Sequence, residues 1–245
     1  MTSGRTSPAL LSCQDESGAA AGDWVVKLLG SIQQSGMVKE LIGSKLASHF
    51  CLPTPEPALI TIEPELARLI ANSYPPKAEL INGSVGLNFG TKEMLGFGTW
   101  PVDRPIFGMM RQAATEIFAF DALVQNPDRR FNNANILANG ETVLIFDHEL
   151  AFSFLVDFFP SSTPWKLDRL FLTNHVFYRQ LKSQNIDLND FTSRLIHLSD
   201  SILDQIFADV PSEWNNDDVP KIGQHLCTMR DHAEEFAEEI RRFLA

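Results

Sequence analysis

Residues 126–149 run Asn126-Pro127-Asp128-Arg129-Arg130-Phe131-Asn132-Asn133-Ala134-Asn135-Ile136-Leu137-Ala138-Asn139-Gly140-Glu141-Thr142-Val143-Leu144-Ile145-Phe146-Asp147-His148-Glu149. A polar loop carrying Asp128 and several asparagines leads into a short strand, Asn135-Ile136-Leu137. Asn139-Gly140 is the dipeptide favoured by tight hairpin turns, whose central residues take positive φ. Val143-Leu144-Ile145-Phe146 is then the returning strand, with Asp147 at its end. The hairpin brings Asp147 back toward the asparagine-rich loop. Two carboxylates and one or two carboxamides are therefore expected around one point.

Phosphoryl transfer needs such a cluster: one carboxylate orients the attacking hydroxyl, while an Asn and a second Asp hold Mg²⁺ against nucleotide phosphates. Asp128 is the candidate catalytic base and Asp147 a candidate metal ligand. Asn133 follows Asp128 by five residues, the interval found in kinases. Asn135, however, directly precedes the apolar pair Ile136-Leu137. Both asparagines are candidate ligands, and Asn135 is preferred. A surface Asx-rich turn beside an ordinary hairpin gives the same local pattern, so the loop alone does not decide the chemistry.

Lys27 adds weight. It closes the apolar run Trp24-Val25-Val26-Lys27-Leu28-Leu29, where an ammonium is costly to bury without an anion. After Gly36, Val38, Leu41, Ile42 and Leu46 recur at helical spacing, and Glu40 stands beside that stripe. Lys27 and Glu40 form a candidate phosphate-anchoring pair. The competing reading is an edge-strand lysine and a solvated glutamate. Ser3, Gly4 and Arg5 belong to a small, hydroxyl-rich segment ahead of the first strand and could offer backbone N–H groups to phosphate, although a frayed terminus explains them equally.

Around these residues the chain reads as α+β. Strands are expected at Pro8–Leu11, Trp24–Leu29 and Ala58–Ile62, with a hairpin loop over Gln14–Asp23. From Pro64 to Pro101 the pattern is weak and rich in Gly, Pro and Asn. Leu80–Gly83 and Gly86–Gly90 read there as turns and short strands, in a connector between lobes. Ile117, Phe118, Phe120, Leu123 and Val124 make a helical face running into the loop at Asn126. One amphipathic helix is read through Leu188, Phe191, Leu195, Leu198, Ile202 and Ile206, another through Ile222, Leu226, Met229, Ala233, Phe236 and Ile240. The expectation is a bilobal fold: residues 1–100 a small, mainly β lobe with one helix, residues 101–245 a larger, mainly helical lobe carrying the hairpin.

The 245 residues are 44% hydrophobic and 21% charged, enough for a packed core. A net charge of −11 disfavours a nucleic-acid surface, which needs clustered Lys and Arg. No apolar run reaches the ~18 residues that span a bilayer, and Met1–Leu10 lacks the apolar core of a secretory signal, so a cytoplasmic protein is expected. Cys13, Cys51 and Cys227 show no metal-ligand spacing and read as reduced thiols.

Taken together, Trp24-Val25-Val26-Lys27, Lys39–Ala47 with Leu52-Pro53-Thr54-Pro55-Glu56-Pro57, Asn88-Phe89-Gly90-Thr91, and above all the loop and hairpin quoted first, resemble the HipA-like kinases in their compact, stand-alone form. The resemblance covers most of the chain. It implies a bilobal protein-kinase-like fold, ATP with Mg²⁺, and transfer to a Ser or Thr hydroxyl of a protein. By position it makes Asp128 the base, Asn133 or Asn135 a metal ligand, Asp147 the principal metal ligand, and Lys27 with Glu40 the phosphate anchor. Two departures stand out: Glu149 replaces the glycine of a DFG-type motif, and no glycine-rich loop of the usual kinase form is visible. Larger HipA toxins carry an N-terminal subdomain for which this chain reads as too short, so nothing in the sequence directly supports a DNA-bound toxin–antitoxin assembly. A pseudokinase binding module and a small-molecule phosphotransferase are the alternatives.

Overall fold

The computed structural model describes residues 8–167, 170–214 and 217–245. Ser3, Gly4 and Arg5 lie outside them. The N-terminal part is built on a four-stranded antiparallel sheet in the order β1 (Ala9–Gln14), β2 (Ala20–Lys27), β4 (Gly86–Lys92), β3 (Pro57–Ile62). Asp15 makes the β1–β2 hairpin: its carboxylate accepts from the backbone N–H groups of Ser17 and Ala19 and from the Ser17 hydroxyl. Ala9 pairs with Val26, so the chain enters the sheet beside the Lys27 end of β2.

Helix α1 (Gln34–His49) follows β2 and is buried over most of its surface. The apolar stripe read in the sequence is only part of the buried face, because Gly36, Gly43 and Ser44 are covered as well. Glu40, read as standing beside the stripe, is fully buried.

Residues 64–101 hold more order than their composition suggested. Helix α2 (Pro64–Ser73) starts with Pro64, whose fixed φ and missing N–H suit a first helical turn. A short helix, α3 (Ala78–Asn82), stands where Leu80–Gly83 read as a turn. Gly86–Gly90 belongs to β4, a central strand. Asn88 secures β4: its Oδ1 accepts from Leu29 N–H, and its Nδ2 donates to the Ser84 and Gly86 carbonyls. Gly90 leaves room for Ile60, whose Cγ1 would lie 2.6 Å from an added Cβ.

The rest is mainly helical. Helix α4 (Met110–Leu123) runs into the Asn126 loop. A second sheet follows, with β5 (Gly98–Thr99) against β6 (Ile136–Asn139) and β6 against β7 (Thr142–Ile145), turning at Gly140 with φ 55°. Short helix α5 (Tyr178–Leu181) then leads to the C-terminal helices. The stretch read as one helix from Leu188 is two, α6 (Asn189–Ile196) and α7 (Asp200–Ala208), because the Ser199 side chain caps α7 by accepting from Ile202 N–H. The last stretch likewise divides into α8 (Val219–Asp231) and α9 (Ala233–Leu244), with His232 leaving the helical region at ψ 31°. One large core links α1, α4, the hairpin and the C-terminal helices, and a smaller cluster around Trp24, Val26 and Ile62 lies in the N-terminal part. No helix among the described residues is long and apolar enough to cross a membrane. The three cysteines are free, Cys51 being exposed.

Candidate active site

Lys27 ends β2 with its ammonium on three carboxylates. It forms an ion pair with Glu40, donates to Asp147 Oδ1 at 2.7 Å, and lies 3.9 Å from Glu149. Glu40 uses its other oxygen to accept from the backbone N–H of His148 at 2.9 Å. Glu40 therefore ties the lysine and the segment after β7 to α1. Burial alone lowers the Lys27 pKa, but the charges of Glu40 and Asp147 outweigh it and hold the ammonium above its ordinary range. Burial pushes the Glu40 carboxyl up to about 7, against the pull of Lys27. Asp147 also feels burial, yet Lys27 keeps its carboxyl below the usual carboxylate range.

Two glycines let α1 approach this point. A Cβ on Gly43 would sit 2.6 Å from the His148 Cβ, and one on Gly36 would sit 3.2 Å from the Glu149 Cγ. His148 is wholly buried with its ring edge toward Phe120, and desolvation pushes its pKa down to about 3. It is a neutral packing residue.

The loop after α4 forms the opposite wall. Asp128 Oδ2 accepts from Asn133 Nδ2 at 2.9 Å and from Asn135 Nδ2 at 3.2 Å, while Oδ1 accepts from Arg130 at 2.9 Å. Both candidate asparagines thus address the same carboxylate, each through its amide nitrogen, which leaves the carbonyl oxygens for other partners. Asn135 (φ 48°) and Asp147 (φ 64°) both occupy the left-handed region, as does Gln125 (φ 48°) at the start of the loop. Non-glycine residues hold such angles only where their surroundings impose them, and they cluster at functional sites.

What imposes them is a buried network that the sequence reading missed. Arg129 is fully buried and donates from Nε to Asp121 Oδ2 at 2.5 Å. One of its terminal nitrogens donates to the carbonyls of Asn135 (2.6 Å) and Phe146 (3.1 Å). A single guanidinium thereby fastens the Asn135 loop to the residue before Asp147. Asp121, on α4, also receives Asn126 Nδ2 at 3.2 Å and lies 3.0 Å from His175 Nε2. Burial works against the Asp121 anion, but Arg129 and His175 hold its pKa below the ordinary value. Burial lowers the His175 pKa too. Phe146 N–H donates to the Asn135 carbonyl at 3.2 Å, closing the gap between loop and hairpin. The hairpin is tied to the segment between α1 and β3 as well: Ile145 N–H donates to the Pro53 carbonyl and the Thr54 hydroxyl to that of Ile145, both at 2.9 Å.

The structure therefore brings Lys27, Glu40 and Asp147 into one cluster and Asp128, Asn133 and Asn135 into another, with Arg129 joining the two. Asp147, 27% exposed, and the two carboxamides offer hard oxygen donors of the kind a small divalent cation takes. The residues fit such an ion.

A family model described as HipA-like kinase matches residues 1–241. The chain belongs to the HipA-like kinase family. Membership makes it a phosphotransferase and implies ATP with a divalent cation. No curated protein matches the chain. Among solved structures, the crystal structure of a Helicobacter pylori proinflammatory kinase, CtkA, is similar with a TM-score of 0.49 and 14% identity, over 96% of this chain and 94% of that one. In this HipA-like kinase, the departure at Glu149 has a structural counterpart: its carboxylate joins those of Glu40 and Asp147, all within 4.8 Å of one another, on the Lys27 side of the site.

Proposed function

We propose that this protein is a Mg·ATP-dependent kinase that phosphorylates a Ser or Thr hydroxyl of a protein. The observation that carries the reading is the pairing of Lys27 with both Glu40 and Asp147, together with two carboxamides trained on Asp128. When bound, Mg·ATP supplies the phosphoryl group and the charge that neutralises it. Asp147 and Asn135 are the proposed cation ligands, with Asn133 holding Asp128 in place. Lys27, steadied by Glu40, is the proposed partner of the nucleotide phosphates. The hydroxyl-rich segment with Ser3, Gly4 and Arg5, outside the described residues, is kept from the sequence as a proposed source of further N–H donors to phosphate. Asp128 orients the acceptor hydroxyl and receives its proton as the new O–P bond forms and the bond to the ADP oxygen breaks.

A base that acts in the transition state contributes little to ground-state binding. Asp128→Asn is expected to lower phosphate transfer about 10²–10⁴-fold while leaving ATP affinity, by calorimetry, unchanged. Transfer at near wild-type rate by a folded Asp128→Asn variant would remove the base assignment. Nucleotide binding without any transfer, even by the wild type to a mixed protein lysate, would make the chain a nucleotide-responsive binding module instead.

A further inference from the structure

A cleft of about 630 Å³ opens beside the Asp128 loop, with Arg130, Phe131 and Asn132 in its lining. Among the described residues lining it, the charged groups are three arginines, Arg104, Arg130 and Arg179, against one aspartate, Asp103; His175, also in the lining, has its pKa lowered by burial. In a chain of net charge −11 this is a local reversal of sign. We propose that the cleft is the acceptor site for an acidic peptide segment, its arginines reading carboxylates that flank the hydroxyl presented to Asp128. The inference rests on the kinase reading of the site and adds the chemistry of the substrate.

The arginines are set in place before any peptide arrives. Arg104 stacks on Trp100 with its guanidinium carbon 4.9 Å from the ring centre and donates to the Gly140 carbonyl. Gln180 fixes the Arg104 backbone, donating to its carbonyl at 3.1 Å and accepting from Ile106 N–H at 2.7 Å. Arg179 lies over the ring of Phe131 at 5.7 Å and pairs with no carboxylate among the described residues. Arg130 touches Asp128 Oδ1 and so joins the cleft directly to the proposed base. A guanidinium has five donors, so Arg130 can take a peptide carboxylate while keeping Asp128. Its loop is pinned by backbone bonds, Arg130 N–H to the Asn133 carbonyl at 2.9 Å and Phe131 N–H to the Asn174 carbonyl at 3.2 Å. The volume falls within the ~300–1,000 Å³ of sites that enclose small ligands, room for a few residues of extended chain. Phe131, an exposed ring in the lining, gives its methylene stems something to lie on.

The test uses the full chain and two serine peptides, one flanked by glutamates and one by lysines, with binding read by fluorescence anisotropy and transfer read separately with Mg·ATP. The glutamate peptide is expected to bind at least tenfold more tightly than the lysine peptide, and more weakly as salt rises. Arg179→Glu, on an exposed residue outside the proposed catalytic machinery, is expected to reduce glutamate-peptide binding roughly tenfold without changing ATP affinity; Arg179→Gln should give a smaller loss. Equal binding of the two peptides, or no response to either variant, overturns the proposal. So does a single-stranded RNA oligonucleotide that binds the cleft more tightly than the glutamate peptide and loses affinity in Arg179→Glu. Selective binding without transfer leaves the acidic-peptide cleft standing and removes the kinase reading. Transfer without charge preference does the reverse.

Discussion

Asp121 shows how one residue can control a site that it does not touch. It anchors Arg129, and Arg129 holds the backbone carbonyls of Asn135 and Phe146. Removing one partner of a buried ion pair strands the other charge, at a cost of about 3–5 kcal/mol. Asp121→Asn is expected to lose stability of that order at pH 7. The pH dependence has a definite sign. The Asp121 pKa is depressed in the folded protein, so its contribution is present above the ordinary carboxylate range and is lost as pH falls through the folded value. His175 and His148 are also depressed, so the unfolded chain binds their protons first and stability falls as pH drops below their ordinary value of 6.5. The two histidines therefore weaken the fold from pH 6.5 downward. Glu40, raised to about 7, offsets them down to the ordinary carboxylate range. The Asp121 loss sets in only below its ordinary value of 3.8, a part that Asp121→Asn should lack. Urea titrations of both proteins at pH 7, 5 and about 3 read this directly, and parallel declines between pH 5 and 3 would count against the Asp121 role. In the sequence, Lys27, Glu40, Asp128 and Asp147 were legible because a charge beside an apolar run, or a carboxylate next to an asparagine cluster, is anomalous. Asp121 presents the same anomaly inside the face Phe118, Phe120, Leu123, but that face was read for packing alone. Arg129 stood inside the motif, yet nothing in a linear pattern tells that its side chain turns inward while that of Arg130 turns out.

Helix α1 is the element that couples sheet to hairpin, since Glu40 meets both Lys27 and the His148 backbone. Its seat depends on Gly43. A methyl there would meet His148 at 2.6 Å, and His148 is fully buried and cannot swing aside. Gly43→Ala is thus an overpacking substitution, expected to cost about 1–3 kcal/mol despite alanine's better helix propensity. Because α1 must then shift away from residue 148, the Lys27–Glu40 pair should loosen. Weaker ATP binding is expected alongside the lower melting temperature. A variant with unchanged ATP affinity would show that the pair does not depend on the α1 seat. The same helix marks what was legible among elements. Its period, the strand with Lys27 and the Asn139-Gly140 hairpin were readable because each has a strong local signal. The division at Ser199 was not, because α6 and α7 face one core and their apolar spacing continues across the break. Helices α2 and α3 were hidden by a composition rich in Gly, Pro and Asn, although Pro64 marks a helix start as well as it marks a loop.

Across the whole molecule, the groups proposed to meet the nucleotide come from both parts of the chain: Lys27 and Glu40 from the N-terminal sheet and α1, Asn135 and Asp147 from the loop and hairpin beyond α4. A ligand held by both should stabilise the folded chain by mass action. At a concentration of 100 times Kd this amounts to about 2.7 kcal/mol, and at roughly 2–4 °C per kcal/mol for a chain of this size the melting temperature should rise by about 5–10 °C. The cation is part of the expectation. With Mg²⁺ removed by EDTA, ATP at the same concentration should give a much smaller rise, because the single Lys27 ammonium would then have to offset both the Asp147 carboxylate and the phosphates. Asp147→Asn should lose the Mg²⁺-dependent part of the shift while remaining folded. Asp128→Asn should keep all of it, since that carboxylate is assigned to the acceptor hydroxyl and not to the nucleotide. Melting curves of the wild type and the two variants, each with ATP alone and with Mg·ATP, give six measurements on one scale. A full shift in the Asp147 variant, or none in the wild type, would contradict the metal assignment. Loss of the shift in the Asp128 variant would move that residue from the acceptor side of the site to the nucleotide side.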